Sequence, residues 1–80
     1  MVLNMSLSEP QKIAIEQIKE LNEWMMNTLK LKKEDCWFIQ GSLNRVTMHT
    51  LSALVEKKFL EEMYRGGGLG TYYRWSGKEM

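Results

Sequence analysis

Eighty residues with 44% apolar and 26% charged side chains are ordinary values for a globular chain, and too apolar for intrinsic disorder. A chain this short closes around one core, and a net charge of +1 argues against strong non-specific nucleic-acid binding. A single cysteine, Cys36, forms no intrachain disulfide and fits a reducing compartment. With no basic and apolar leader and no apolar run near about 18 residues, neither a signal peptide nor a membrane span is expected, and a cytoplasmic protein is.

Residues 1–7 carry no strong pattern and read as a tail, either mobile or packing Val2, Leu3 and Met5 onto the body. Ser8 followed by Gln11 is a capping-box pair, and Pro10 falls in the first turn, where its missing N–H costs no helical bond. A first helix is expected over residues 8–31, starting at Glu9. Ala14, Ile18, Leu21, Met25 and Leu29 recur at three- and four-residue steps and form its core stripe. Ile15 and Met26 widen that stripe on one flank, Ile13 and Trp24 on the other. The arc is broader than one small core needs, so either the helix is covered on two sides or Ile13 and Trp24 form a dimer interface.

Residues 33–41 are ambiguous, because so short an apolar run does not separate helix from strand. A short second helix ended by Gly41 is the preferred expectation; the alternative is a strand at Trp37 to Ile39 that adds to a later sheet. Cys36 has no histidine beside it in its element to act as a base, so it reads as an inert thiol. A third helix is expected over residues 45–58, capped by Ser42 or Asn44, with Val46, Leu51, Leu54 and Val55 inward. Its other face carries Arg45, Thr47, Met48, His49, Ser52 and Glu56. Short polar groups with a cation near the N-terminal end suit contacts to base edges and phosphates, although a merely solvated face has the same composition.

Residues 59–76 read as a hairpin. Phe59 to Tyr64 and the aromatic run Thr71 to Trp75 flank a glycine tract, Gly66 to Gly70. Phosphate-binding glycine loops open a helix, and this tract lies between strand-like runs, so it is a turn. Alternation sets Tyr72 and Arg74 on one face, exposed beside Arg65, and Thr71, Tyr73 and Trp75 on the other, against the helices. The polar end from Ser76 is expected to fray.

The run from Arg45 to Glu61 resembles the recognition helix and first wing strand of winged helix-turn-helix regulators, Leu7 to Gln11 resembles the start of their first helix, and Tyr73 to Ser76 resembles their closing strand. The resemblance implies an α+β, mainly α fold, three helices followed by a two- or three-stranded antiparallel wing. It also implies double-stranded DNA as partner, read in the major groove by a small transcription regulator of phage, plasmid or bacterial type. DNA contacts would then fall on Arg45, Thr47, Met48, His49 and Ser52 of the helix and on Arg65, Tyr72 and Arg74 of the wing. Family members carry glycine where Lys58 stands, so either Lys58 takes a modest backbone strain there or the helix ends differently. A near-neutral monomer binds DNA weakly, which favours a homodimer, and the rival reading is a winged-helix protein-interaction module. With one histidine and one cysteine, lying in different elements, no nucleophile, base and orienting group assemble, so no catalytic apparatus is expected, and no metal, cofactor or small-molecule substrate.

Overall fold

Ser8 starts the first helix by the reciprocal pair its sequence announces. In the computed structural model, which describes residues 7–68 and 70–79, the Gln11 N–H donates to Ser8 Oγ at 3.4 Å while the Ser8 N–H donates to Gln11 Oε1 at 3.1 Å. The expected packing of Val2, Leu3 and Met5 lies outside the described residues. Helix α1 is Glu9–Thr28, with Pro10 in its first turn. It stops short of the expected end: Leu29 is the cap residue, and Lys30 turns left-handed at φ 60°. Leu29, assigned to the core stripe, is half exposed, since the helix outlasts the small body it packs on. The buried line is Ala14, Ile15, Ile18 and Met25, and it includes Asn22, whose Oδ1 has no hydrogen-bond partner among the described residues.

The preferred second helix does not form. Residues 33–41 make a 3-10 turn, Lys33–Asp35, then an extended stretch, then a second 3-10 turn, Gln40–Ser42, which contains Gly41. In the extended stretch Phe38 exchanges backbone hydrogen bonds with Tyr73, its N–H donating at 2.8 Å and its carbonyl accepting at 2.7 Å. Cys36 and Phe38 are buried while Trp37 is half-buried and Ile39 exposed, the two-residue period of a strand. So short a helix is marginal alone, whereas an open sheet edge offered ready backbone partners.

Helix α2 is Met48–Glu56, shorter than the expected 45–58. Its cap is Thr47, which accepts from the Thr50 N–H at 3.1 Å, and not Ser42 or Asn44. Asn44 is held elsewhere: its N–H donates to Gln17 Oε1 at 2.7 Å, and its carbonyl accepts from Gln17 Nε2 at 2.8 Å. Gln17 thus clips the connecting loop to α1, and Gln40 Nε2 reaches the Val46 carbonyl at 2.8 Å to hold the other end. Arg45 and Thr47 consequently precede the helix.

At its far end α2 closes with paired bonds, Lys58 N–H to the Val55 carbonyl and Phe59 N–H to the Leu54 carbonyl, around Lys58 at φ 70°. This is the Schellman arrangement, with buried Leu54 and Phe59 as its apolar contact. Lys58 adopts the left-handed conformation that makes glycine the usual occupant.

Strands β1, Leu60–Tyr64, and β2, Thr71–Trp75, pair antiparallel with Leu60 opposite Trp75 and Tyr64 opposite Thr71. The tip uses Gly66, Gly67, Gly68 and Gly70 at positive φ, and the Arg65 N–H donates to the Gly70 carbonyl at 2.9 Å. Tyr73 lies on the sheet face that meets the helices, its ring 6.0 Å from that of Phe38, and is almost fully buried. The core joins Ala14, Ile15, Ile18, Phe38, Val46, Leu51, Leu54, Phe59, Leu60 and Tyr73. The described residues therefore form a small α+β domain: two helices and intervening 3-10 turns, followed by a two-stranded antiparallel hairpin.

Contrary to the expected fraying, residues 76–79 pack back on the body. Ser76 Oγ donates toward the Lys58 carbonyl at 2.7 Å and lies 3.0 Å from that of Phe59, Lys78 Nζ donates to the Lys57 carbonyl at 2.9 Å, and Glu79 meets Lys19 at 2.8 Å. Carbonyls left open where α2 ends gain donors from this strap, an enthalpic reason for it to stay down. No helix among the described residues is long and apolar enough to cross a membrane.

Candidate nucleic-acid interface

The outward side of α2 is set by its period. With Leu51 and Leu54 fully buried, Met48, Ser52 and Glu56 align at four-residue steps on the opposite side with His49 beside them, and all are exposed. Arg45 and Thr47 are also exposed, in the loop that enters the helix. Thr47 is engaged as the cap, its hydroxyl 3.2 Å from that of Thr50, so it fixes the helix start and keeps little freedom for a ligand. Arg45 sits at φ 61°, a left-handed position that aims a bulky residue from a strained backbone. It has no ion-pair partner among the described residues.

The wing residues separate into two groups. Arg65, at the end of β1, is exposed and has no ion-pair partner among the described residues. Arg74 was expected to stand exposed beside it and does not. Half-buried, it pairs with Glu61 directly across the sheet, donates to the Glu34 carbonyl, and lays its guanidinium 4.5 Å from the Trp37 ring. Cross-strand register and the bridge at Phe38 bring these groups together, and neither is visible as a spacing in the chain. Its charge is neutralised within the fold. Tyr72, on the same sheet face as Arg74, is half-buried.

Tyr64, absent from the sequence-derived set, is 75% exposed next to Arg65. Its signal was available, an aromatic residue bordering a glycine tip, but alternation alone assigns it to the face that packs on the helices. That face runs out of helix before it reaches the tip.

The acids on β1 count against phosphate contact along the strand. Glu61 is occupied by Arg74, while Glu62 stands exposed opposite Tyr73. Burial pushes the Tyr73 phenol up from its ordinary value of 10.0, with the Glu62 carboxylate adding to it. Burial likewise raises the Cys36 thiol above 9.0, helped by Asp35 and Glu34, and Cys36 Sγ contacts the Lys32 carbonyl at 3.3 Å. A buried thiol with a raised pKa is the reverse of an activated nucleophile.

At the hairpin root a cleft of about 180 Å³ is lined by Lys33, Glu34, Glu61, Arg74, Trp75 and Ser76. Lys33 lies 5.2 Å from the Trp75 ring and Arg74 4.5 Å from that of Trp37, so both cations of the cleft already serve an aromatic partner. Ile13 and Trp24, the residues assigned to a dimer interface, are each half exposed on α1. No group of three or more His, Cys, Asp or Glu among the described residues is placed to hold a metal.

Comparison with protein-family models, with curated proteins and with solved structures returns no match to the chain.

Proposed function

We propose that the chain is a small winged-helix DNA-binding protein, a regulator that presents the exposed side of α2 to the major groove. The observation that carries this reading is that face itself: Met48, His49 and Ser52 are exposed on a helix capped at both ends, and Arg45 is exposed in the loop that enters it. Side chains of this size and polarity match base edges, and Arg45 matches a guanine edge or a phosphate. The order of elements supports the fold-level part of the reading. Phe38 adds a single bridge to the two-stranded hairpin at the edge where a third wing strand would lie, and the Gln40–Ser42 turn falls between α1 and α2 in the order where a second helix would come. Arg65 and Tyr64 at the tip extend the surface, and Arg74 leaves it, because Glu61 holds its charge.

Affinity follows from the cations. With Arg45, Arg65 and Lys58 as exposed positive groups, a monomer neutralises about two or three phosphates, and log affinity should fall with log salt at a slope of roughly −2 to −3. Electrophoretic or anisotropy titration of random duplex DNA across a salt series measures it. Failure of micromolar protein to bind any duplex at low salt overturns the reading. Arg45→Ala is expected to flatten the slope by about 1.

The rival reading is a protein-interaction module, by self-association or with another chain, and the half-exposed Ile13 and Trp24 favour it. Both readings coexist if α1 supplies the second point of attachment that a weakly charged DNA-binding domain requires.

A further inference from the structure

Helix α1 turns to solvent a face that the core does not use. Ile13 and Trp24 lie roughly three helical turns apart, so they fall on one line of the helix, about 16 Å from each other. Glu20 lies on the same line, and Glu9, Glu16 and Glu23 flank it on one side, all of them exposed. Glu9 has Lys12 at 4.0 Å, but Glu16, Glu20 and Glu23 have no ion-pair partner among the described residues. Like charges at the spacing of Glu16 and Glu20 destabilise a helix, and no described cation lies within ion-pair distance of either. Lys19 of the same helix is turned away, bonded to Glu79 and set against Trp75.

We propose that this face docks a protein partner presenting an apolar stripe flanked by lysines or arginines, and that it does not pair with a second copy of itself. Tryptophan is among the residues most enriched at binding hot spots, and a charged rim around such an anchor sets orientation and partner choice. Two copies packed antiparallel along α1 set the flank with Glu16, Glu20 and Glu23 against its own image, a repulsive arrangement. In a parallel pair that flank meets the opposite one, where Pro10, Gln17 and Leu21 bring no cation. A basic partner gives all three carboxylates counter-charges while covering Ile13 and Trp24. The inference concerns α1 alone and stands or falls separately from DNA binding by α2.

The test uses the full chain, isotope-labelled for NMR. It is titrated with a synthetic amphipathic helical peptide bearing a leucine stripe flanked by lysines, and with the same peptide carrying glutamate at every lysine. The lysine peptide is expected to shift the Trp24 indole N–H and the outer-face amides of α1 with a micromolar Kd. Binding should weaken about tenfold or more in Trp24→Ala, in the combined Glu16→Gln, Glu20→Gln, Glu23→Gln variant, and in about 0.5 M salt. The glutamate peptide should leave the spectrum unchanged. All substituted positions are exposed, and circular dichroism confirms that each variant is folded. Equal shifts with both peptides, or none with the lysine peptide up to roughly 1 mM, overturn the proposal. So does a dimer in sedimentation at about 0.1 mM that Trp24→Glu dissolves, which assigns the face to self-association.

Discussion

Lys58 concentrates a conflict between local preference and global fold at one residue. At φ 70° its Cβ crowds the backbone, at a cost of about 1–2 kcal/mol relative to a right-handed residue, yet the turn it makes delivers Phe59 to the core. Lys58→Gly is therefore expected to raise unfolding stability by about 1 kcal/mol in chemical denaturation, since glycine occupies this region without a Cβ. An unchanged or lower midpoint would show that the lysine side chain contributes more than its strain costs. Cys36 and Tyr73 give a residue-scale prediction in pH. Burial raises both groups, so in the folded protein each holds its proton at pH values where the unfolded chain releases it. Their contribution to stability is complete below the unfolded values and is lost as pH rises through the folded ones. Thermal midpoints should hold up to about pH 9 and then fall. Cys36→Ala, despite a lower midpoint at neutral pH, should begin its decline later, near the tyrosine range.

Elements met or missed expectation according to how much of their stability is local. Helix α1 carries its own start signal and a long periodic stripe, so its existence and its onset at Glu9 were legible. The hairpin was legible for a related reason: only glycine-rich sequence tolerates so many left-handed residues in succession, and aromatic strands flank it. Residues 33–41 were not legible, because their conformation depends on a backbone partner, Tyr73, far along the chain. The strap after β2 was missed for the same reason, as its acceptors are the terminal carbonyls of α2. Ser76→Ala removes a hydroxyl shared between the Lys58 and Phe59 carbonyls, and should lower stability by about 1 kcal/mol. Amide exchange at the end of α2 should speed up in that variant more than exchange in β2, and equal acceleration everywhere would mean the strap is not a local clamp.

At the scale of the whole molecule, the deciding quantity is which cations remain available once the fold is made. Arg74 pairs with Glu61 and stacks on Trp37, and Lys19 is bound to Glu79. On the DNA-binding reading, Arg74→Ala should leave duplex affinity and its salt slope unchanged while lowering stability by about 1 kcal/mol through lost packing and pairing. Arg45→Ala should do the opposite. A large loss of DNA affinity in Arg74→Ala with unchanged stability would place the wing face on the phosphates and refute the assignment of Arg74 to the scaffold.

What the chain determined by itself was everything specified within one turn of helix or one hairpin: the capped start of α1, the apolar faces of both helices and the glycine tip. The tertiary structure alone decided which polar groups stay free. Arg45 and Arg74 are equivalent as letters, but only one has a carboxylate opposite it in the strand register. Exposure at Leu29 and Tyr64 was decided in the same way, by where α1 and the hairpin extend past the body that covers their roots. Local structure follows from bonds between near neighbours, whereas availability for binding is what remains after distant segments have taken their partners.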